Sequence, residues 1–109
     1  MESILTSVKE ILGIEEDDNA FDKELILHIN GVLGVLFQIC PVLPRSFRIT
    51  GADETWDQYT DDIAKVEFLK SYVAFKVKLI FDPPTGGVLD ALKERIDELE
   101  WRLSIVDEE

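Results

Sequence analysis

The residues of this sequence that could carry chemistry are few, and they do not form a reactive set. His28 is the only histidine and Cys40 is the only cysteine among the 109 residues. A serine or cysteine nucleophile would need that histidine as its base. No catalytic signature surrounds Ser46, Ser71 or Cys40. The sequence therefore predicts a protein without enzymatic activity.

The sequence also lacks the residues that a metal site or a phosphate-binding loop would need. A single cysteine permits neither an intrachain disulfide nor a cysteine-based zinc site. The acidic run Glu15–Asp18 lacks the glycine and the terminal glutamate of a calcium-binding loop, and Pro84–Gly87 lacks the lysine of a phosphate-binding loop. We expect no metal and no cofactor. His28 is predicted to be partly buried and hydrogen-bonded, and Cys40 to be a small buried residue of the core.

The negative net charge argues against a protein that binds nucleic acid. Asp and Glu total 23 against 11 Lys and Arg, which gives a formal net charge of -12. Such a surface repels phosphates, and the basic residues form no dense cluster. The N-terminus has no basic region typical of a secretory signal. Charged and polar residues interrupt the longest apolar stretches, so we expect no membrane span.

Apolar residues recur at helical spacing in four segments. Ser3 is a predicted cap for a first helix that Gly13 ends, and the expected long helices are near Phe21–Cys40, Asp62–Phe81 and Val88–Leu103. A helical turn is expected within Glu54–Tyr59. The sequence thus predicts one all-α domain over residues 1–109, a compact bundle of about four to five helices with a long irregular loop in the middle. The tail Asp107–Glu109 is expected to fray.

Two of these helices have features that bear on packing. The helix ending at Phe81 carries two adjacent apolar stripes, so it is expected to be central, with neighbours on two sides. Gly31 and Gly34 lie inside the preceding helix, where glycine is disfavoured. We interpret them as close-packing points where another helix crosses; the alternative is a break in the helix near Gly31.

Aromatic residues in the loop and on the last helix have no obvious place in a core stripe. Tryptophan, tyrosine and arginine are enriched at protein interfaces. Trp56 is the predicted anchor of an interface formed by a loop that is mobile in the isolated protein. The alternative places these aromatics in a core beneath the loop. The full set of predicted interface residues is Phe47, Arg48, Trp56, Tyr59 and Trp101.

Two helix-terminating prolines followed by two flexible glycines separate the last two predicted helices. Pro83 and Pro84 cannot continue a helix, and Gly86 and Gly87 allow the backbone to turn freely. We hypothesise that these four residues form a hinge and that the last helix changes its angle on assembly.

A further set of segments, taken together, carries a family pattern. These segments are Ile4–Lys9, Leu12–Ile14, Phe21–Asp22 leading to Ile29–Asn30, Glu54–Trp56, Tyr72–Val73, Lys76–Pro84 and Leu99–Leu103. They resemble small head–tail connector (adaptor) proteins of tailed phages and prophages of Gram-positive bacteria. The resemblance covers nearly the whole chain, and its most specific part is Phe81–Pro84 together with Glu100–Leu103.

The resemblance implies a mostly helical, non-enzymatic virion protein located in the neck, and in the host cytoplasm during assembly. Such connectors form a homo-oligomeric ring under the portal protein, extend the DNA channel and dock the next neck or tail protein. DNA would pass through without specific binding. The alternatives are a small acidic phage-encoded inhibitor that binds a host protein, and a plain interaction module.

Overall fold

The computed structural model describes residues 2–106 and folds them into helices joined by irregular segments. In chain order the helices are α1 (Ile4–Leu12), α2 (Asp22–Ile39), α3 (Trp56–Tyr59), α4 (Ile63–Phe81) and α5 (Gly86–Val106). Residues 2–106 contain no strand, only an isolated antiparallel bridge between Ser3 and Thr55. The predicted all-α class with four to five helices is confirmed. The tail expected to fray, Asp107–Glu109, lies outside the described residues.

The helix ends follow local capping chemistry. The Ser3 hydroxyl accepts a hydrogen bond from the Thr6 backbone N–H at 3.2 Å and begins α1. Gly13 ends that helix with a φ of 80°, a left-handed conformation that favours glycine. The Asp62 carboxylate accepts from the Lys65 N–H at 3.3 Å and begins α4. These side chains satisfy N–H groups that have no partner within the helix.

Helix α4 is the centre of the bundle, as its two apolar stripes predict. It packs against α1, α2 and α5. Its buried side chains include Leu69, Tyr72 and Val77, which have no exposed surface. Helix α5 closes the bundle by burying Leu99 and Leu103. The narrow apolar stripe of α5 therefore makes a contact within the chain.

The long segment between α2 and α3 is fastened to the body of the bundle. The Asn30 side chain donates to the Ile49 carbonyl at 3.0 Å and accepts from the Ile49 N–H at 2.8 Å. Leu43 and Ile49 are buried in the core. The Ile4 N–H donates to the Glu54 carbonyl at 3.0 Å, which ties the end of the loop to α1. These contacts hold the segment against α1 and α2.

The two glycines of α2 do not serve the purpose expected from the sequence. The helix continues unbroken through Gly31, so the alternative of a break is wrong. A Cβ atom at Gly31 or Gly34 would meet no atom within 4 Å, and both residues are exposed. The prediction of a crossing helix is therefore also wrong for the described chain. Both glycines lie on an outer face of α2 that no other described element covers.

Candidate interaction surface

The side chains that could take part in catalysis or metal binding are dispersed or buried. The His28 Nε2 atom lies 3.9 Å from the Glu24 carboxylate, one helical turn away. Cys40 is fully buried, and the Lys65 ammonium lies 3.6 Å from its sulfur. Residues 2–106 place no group of three or more His, Cys, Asp or Glu where a metal ion could be held.

Trp56 lies in the core of the chain. It has no exposed surface, and its indole N–H donates to the buried Ser7 hydroxyl at 2.8 Å. The sequence signal for this position was the interface preference of tryptophan, which does not distinguish a partner's surface from the chain's own core. The burial favours the alternative interpretation for Trp56, because this conformation leaves no side-chain surface for a partner.

Tyr59 is also buried, next to the end of α2. Only 2% of its surface is exposed, and its hydroxyl has no hydrogen-bond partner among the described residues. Burial, together with the nearby Cys40 thiol, raises the pKa of the Tyr59 phenol well above its usual value. Its ring lies 5.1 Å from the Phe47 ring, centroid to centroid. Tyr59 therefore supports Phe47 from beneath rather than contacting solvent itself.

Phe47 and the arginines beside it do form a surface. Phe47 is partly buried, whereas Arg45 and Arg48 are exposed. The Arg45 guanidinium lies 4.9 Å from the centre of the Phe37 ring, a cation–π contact that places its charge over α2. Neither arginine forms an ion pair with a described residue. The sequence prediction for Phe47 and Arg48 thus falls on a surface that is open to a partner.

The Glu54 carboxylate stabilises a turn at the C-terminal end of the same loop. The Thr50 hydroxyl donates to the Glu54 carboxylate at 2.8 Å, and the Gly51 N–H donates to it at 3.4 Å. Burial alone would raise the pKa of Glu54, but these hydrogen bonds outweigh it and lower the pKa below its usual value. The ionised carboxylate therefore stabilises the turn at Thr50–Glu54.

Trp101 lies on the outer face of α5 and is 60% exposed. Beneath it, α5 is fixed to α4 by the Tyr72 hydroxyl, which donates to the Glu100 carboxylate at 2.7 Å. Burial, and then the Glu100 carboxylate, raise the pKa of Tyr72 above its usual value. The sequence prediction for Trp101 therefore falls on an accessible residue of a firmly packed helix.

The predicted hinge is shorter than the sequence indicated. Gly86 and Gly87 belong to the first turn of α5, and only Asp82–Thr85 separate the two helices. Gly86 has a φ of 62°, a left-handed conformation that favours glycine. All four proposed hinge residues lie together at one end of the bundle, with Pro83 exposed and Pro84 partly buried.

One exposed region has no member among the interface residues that the sequence predicts. It is the outer face of α2, with Leu27 70% exposed and Val35 44% exposed. A signal for it existed, because no charged residue occurs between His28 and Arg45. Together with Phe47, Arg48 and Trp101, this face is one part of the accessible apolar and arginine-bearing surface of the described chain.

The described residues therefore form a helical bundle that exposes apolar and arginine-bearing surfaces. None of the helices in that range is long and apolar enough to cross a membrane. A family model described as phage connector protein matches residues 4–109. The chain therefore belongs to the phage connector protein family. Searches among curated proteins and among solved structures gave no significant match.

Proposed function

We propose that this protein is a head–tail connector, or adaptor, of a tailed phage or prophage. It forms a homo-oligomeric ring under the portal protein, extends the DNA channel and docks the next neck or tail protein. The observation that carries the proposal is the family match over residues 4–109. The exposed surfaces on α2, on the following loop and on α5 are consistent with a subunit that has several neighbours.

The charge distribution supports a channel through which DNA moves without specific binding. A ring multiplies the net charge of -12 carried by each subunit. Several basic side chains are already engaged by carboxylates of the same chain. Lys9 pairs with Asp22, Lys70 with Glu2, and Arg102 with Glu98. An acidic wall repels the phosphates and reduces friction on the passing duplex.

The proposed contacts divide the predicted interface residues into two groups. Phe47, Arg48 and Trp101 meet a neighbouring subunit or the portal, because their side chains have surface to offer. Trp56 and Tyr59 hold the loop from inside the core. The protein accordingly assembles in the host cytoplasm and is located in the neck of the finished virion.

The hinge belongs to the same proposal. Pro83, Pro84, Gly86 and Gly87 would let α5 change its angle when the subunit joins the neck, at the cost of the contact between Tyr72 and Glu100. Structures of the free and the virion-bound protein test this part. A shift of α5 well beyond about 1 Å is expected, and a match within that limit contradicts the hinge.

Deletion of the gene tests the function as a whole. We expect filled heads and complete tails that do not join, and restored virions when the gene is supplied in trans. Mass spectrometry of purified virions should find the protein in a fixed ratio to the portal. Absence from virions, together with recovery of a host protein in pull-downs, would instead support the inhibitor alternative.

A further inference from the structure

An open groove of about 500 Å³ lies along the outer face of α2, between that helix and the loop that follows it. Its lining includes Leu27, Gly31, Gly34, Arg45, Phe47 and Arg48. The exposed leucine and the two exposed glycines bring apolar surface and bare backbone together. An uncharged helix face on a chain of net charge -12 is a surface suited to contact.

The glycines keep the floor of this groove open. Nothing within 4 Å would obstruct a Cβ at Gly31 or Gly34, so the chain's own packing does not require glycine there. Alanine would suit a helix interior better than glycine does. A glycine at such a position allows the backbone or a large side chain of another molecule to come close.

The rim of the groove is basic. Arg45 and Arg48 border it, and neither forms an ion pair with a described residue. Their charge is therefore available to a ligand of opposite sign. The complement of this groove is an acidic segment that also carries a large apolar side chain.

The outer face of α5 has that composition. Asp90, Glu94, Asp97 and Trp101 follow one another at spacings of four, three and four residues, so they share one face of the helix. That face lies opposite Leu99, which is buried in the core. All four residues are exposed, and none of the three carboxylates forms an ion pair with a described residue. We call these four residues the acidic stripe.

We propose that the acidic stripe of one copy of the chain docks in the α2 groove of a second copy. Trp101 lies over the floor formed by Gly31 and Gly34, and the carboxylates approach Arg45 and Arg48. Charge complementarity selects this occupant, because each surface supplies the charges that the other leaves unpaired. The inference rests on the proposed ring-forming function and names the surfaces through which neighbouring subunits meet.

The proposed contact joins two different surfaces of the chain, and this determines how further copies can be added to the assembly. Each copy that docks its stripe still has a vacant groove, and each copy that receives a stripe still has its own stripe exposed. A head-to-tail contact of this type closes into a ring when the rotation between copies permits, and extends into a filament when it does not.

Sedimentation velocity of the purified protein over a range of concentrations tests the proposal. We expect concentration-dependent self-association that weakens as salt is raised. Trp101→Ala should weaken the association about thirtyfold, as expected for an interface anchor. Gly34→Leu should abolish it by filling the groove, while its melting temperature equals or exceeds that of the wild type.

Charge-reversal variants test the proposed contact more specifically than the single substitutions do. The double variant Arg45→Glu/Arg48→Glu and the double variant Glu94→Lys/Asp97→Lys should each fail to self-associate, because each brings like charges together. The chain that combines all four substitutions should associate again. Lys93→Glu changes the charge of α5 outside the acidic stripe, so it serves as the control and should behave as the wild type.

Three results would overturn the proposal. The wild type could stay monomeric at all concentrations, Gly34→Leu could associate normally, or the combined charge reversal could fail to restore association. A groove that serves the portal instead would be revealed by variants that self-associate normally but no longer join heads to tails. If deletion of the gene leaves virions intact while the self-association obeys these substitutions, the proposed function fails and the self-docking stands.

Discussion

The indole N–H of Trp56 and the hydroxyl of Ser7 form a buried hydrogen bond of 2.8 Å across 49 residues of sequence. We expect Trp56→Ala to lower the free energy of unfolding by about 3–5 kcal/mol, because it leaves a large cavity in the core. Ser7→Ala should cost about 1–3 kcal/mol, since it leaves the indole N–H unsatisfied. Urea unfolding followed by circular dichroism measures both.

The second tryptophan is the matched control. Trp101→Ala removes a side chain that is 60% exposed, so stability should change by no more than about 0.5 kcal/mol. A Trp56→Ala variant that unfolds at the wild-type urea concentration would contradict this account and favour Trp56 as an interface anchor.

Lys9 is a buried cation whose partner, the Asp22 carboxylate, is partly exposed, and loss of this ion pair should be costly. Its ammonium lies 2.9 Å from the Asp22 carboxylate and 3.0 Å from the Glu16 carbonyl, and only 3% of the side chain is exposed. Lys9→Met keeps most of the packing but leaves Asp22 without its cation. Because Asp22 keeps partial contact with solvent, we expect a loss of about 1–3 kcal/mol in the free energy of unfolding.

Lys70 offers the comparison for that substitution. Its pair with Glu2 is shorter, at 2.6 Å, but both side chains are more exposed, at 24% and 35%. Lys70→Met should therefore cost less than about 1 kcal/mol. Equal losses for the two variants would show that burial does not decide the strength of these pairs.

Two adjacent glycines at the start of α5 should respond in opposite directions to alanine. Gly86 has a φ of 62°, which an L-residue adopts at a cost of about 1–2 kcal/mol. Gly87 has no such φ, and a Cβ there meets nothing within 4 Å, so alanine should stabilise the helix by up to about 1 kcal/mol. Thermal unfolding of both variants checks the prediction, and the same direction of change in both would refute it.

The Glu54 carboxylate should make stability depend on pH in the acidic range. Burial raises its pKa, but the hydrogen bonds from Thr50 and Gly51 outweigh that effect, so the folded-state pKa lies below the ordinary value of 4.5. The stabilisation is therefore present above pH 4.5 and is lost as the pH falls through the folded-state pKa. Wild-type stability should fall more steeply with acid than that of Glu54→Gln.

Unfolding by urea at a series of pH values between neutrality and the acidic limit of the fold measures the difference. Glu15→Gln removes one charge from the solvated loop and controls for the change in net charge. Parallel curves for the wild type and Glu54→Gln would mean that the hydrogen bonds at Glu54 do not favour its ionised form.

The protein should not bind duplex DNA at physiological salt. With a net charge of -12 and several cations engaged by neighbouring carboxylates, few positive charges remain to displace counterions from the duplex. Fluorescence anisotropy of a labelled duplex should show no binding up to about 100 µM protein. A micromolar affinity that weakens with salt would count against an acidic channel wall.

Most of the helical framework could be predicted from the sequence because its causes are local. The 3.6-residue apolar spacing marks α1, α2, α4 and α5, and the caps at Ser3 and Asp62 act within one turn. The central position of α4 follows from its two apolar stripes. The sequence predicts that α5 begins at Val88, two residues later than its start at Gly86, since propensity alone disfavours glycine in a helix.

Which residues form the candidate surface depends on tertiary contacts, and no local sequence pattern predicts these. Trp56 and Trp101 are the same residue type, and both lie off the apolar stripes of the long helices. Only the folded chain decides that one meets Ser7 in the core and the other faces solvent. Likewise, Gly31 and Gly34 indicated close packing, but whether another helix crosses them depends on where the remaining helices lie.

The sequence by itself therefore determined the class of fold, the positions of its long helices and the acidic character of the surface. Periodicity, capping and net charge all depend on residues that are neighbours in the chain or on a simple sum over it. The tertiary structure decided which aromatics are buried, that Asn30 fastens the loop through Ile49, and that the outer faces of α2 and α5 stay open. Those outcomes are set by packing between distant segments, where a residue's surroundings, rather than its type, determine its role.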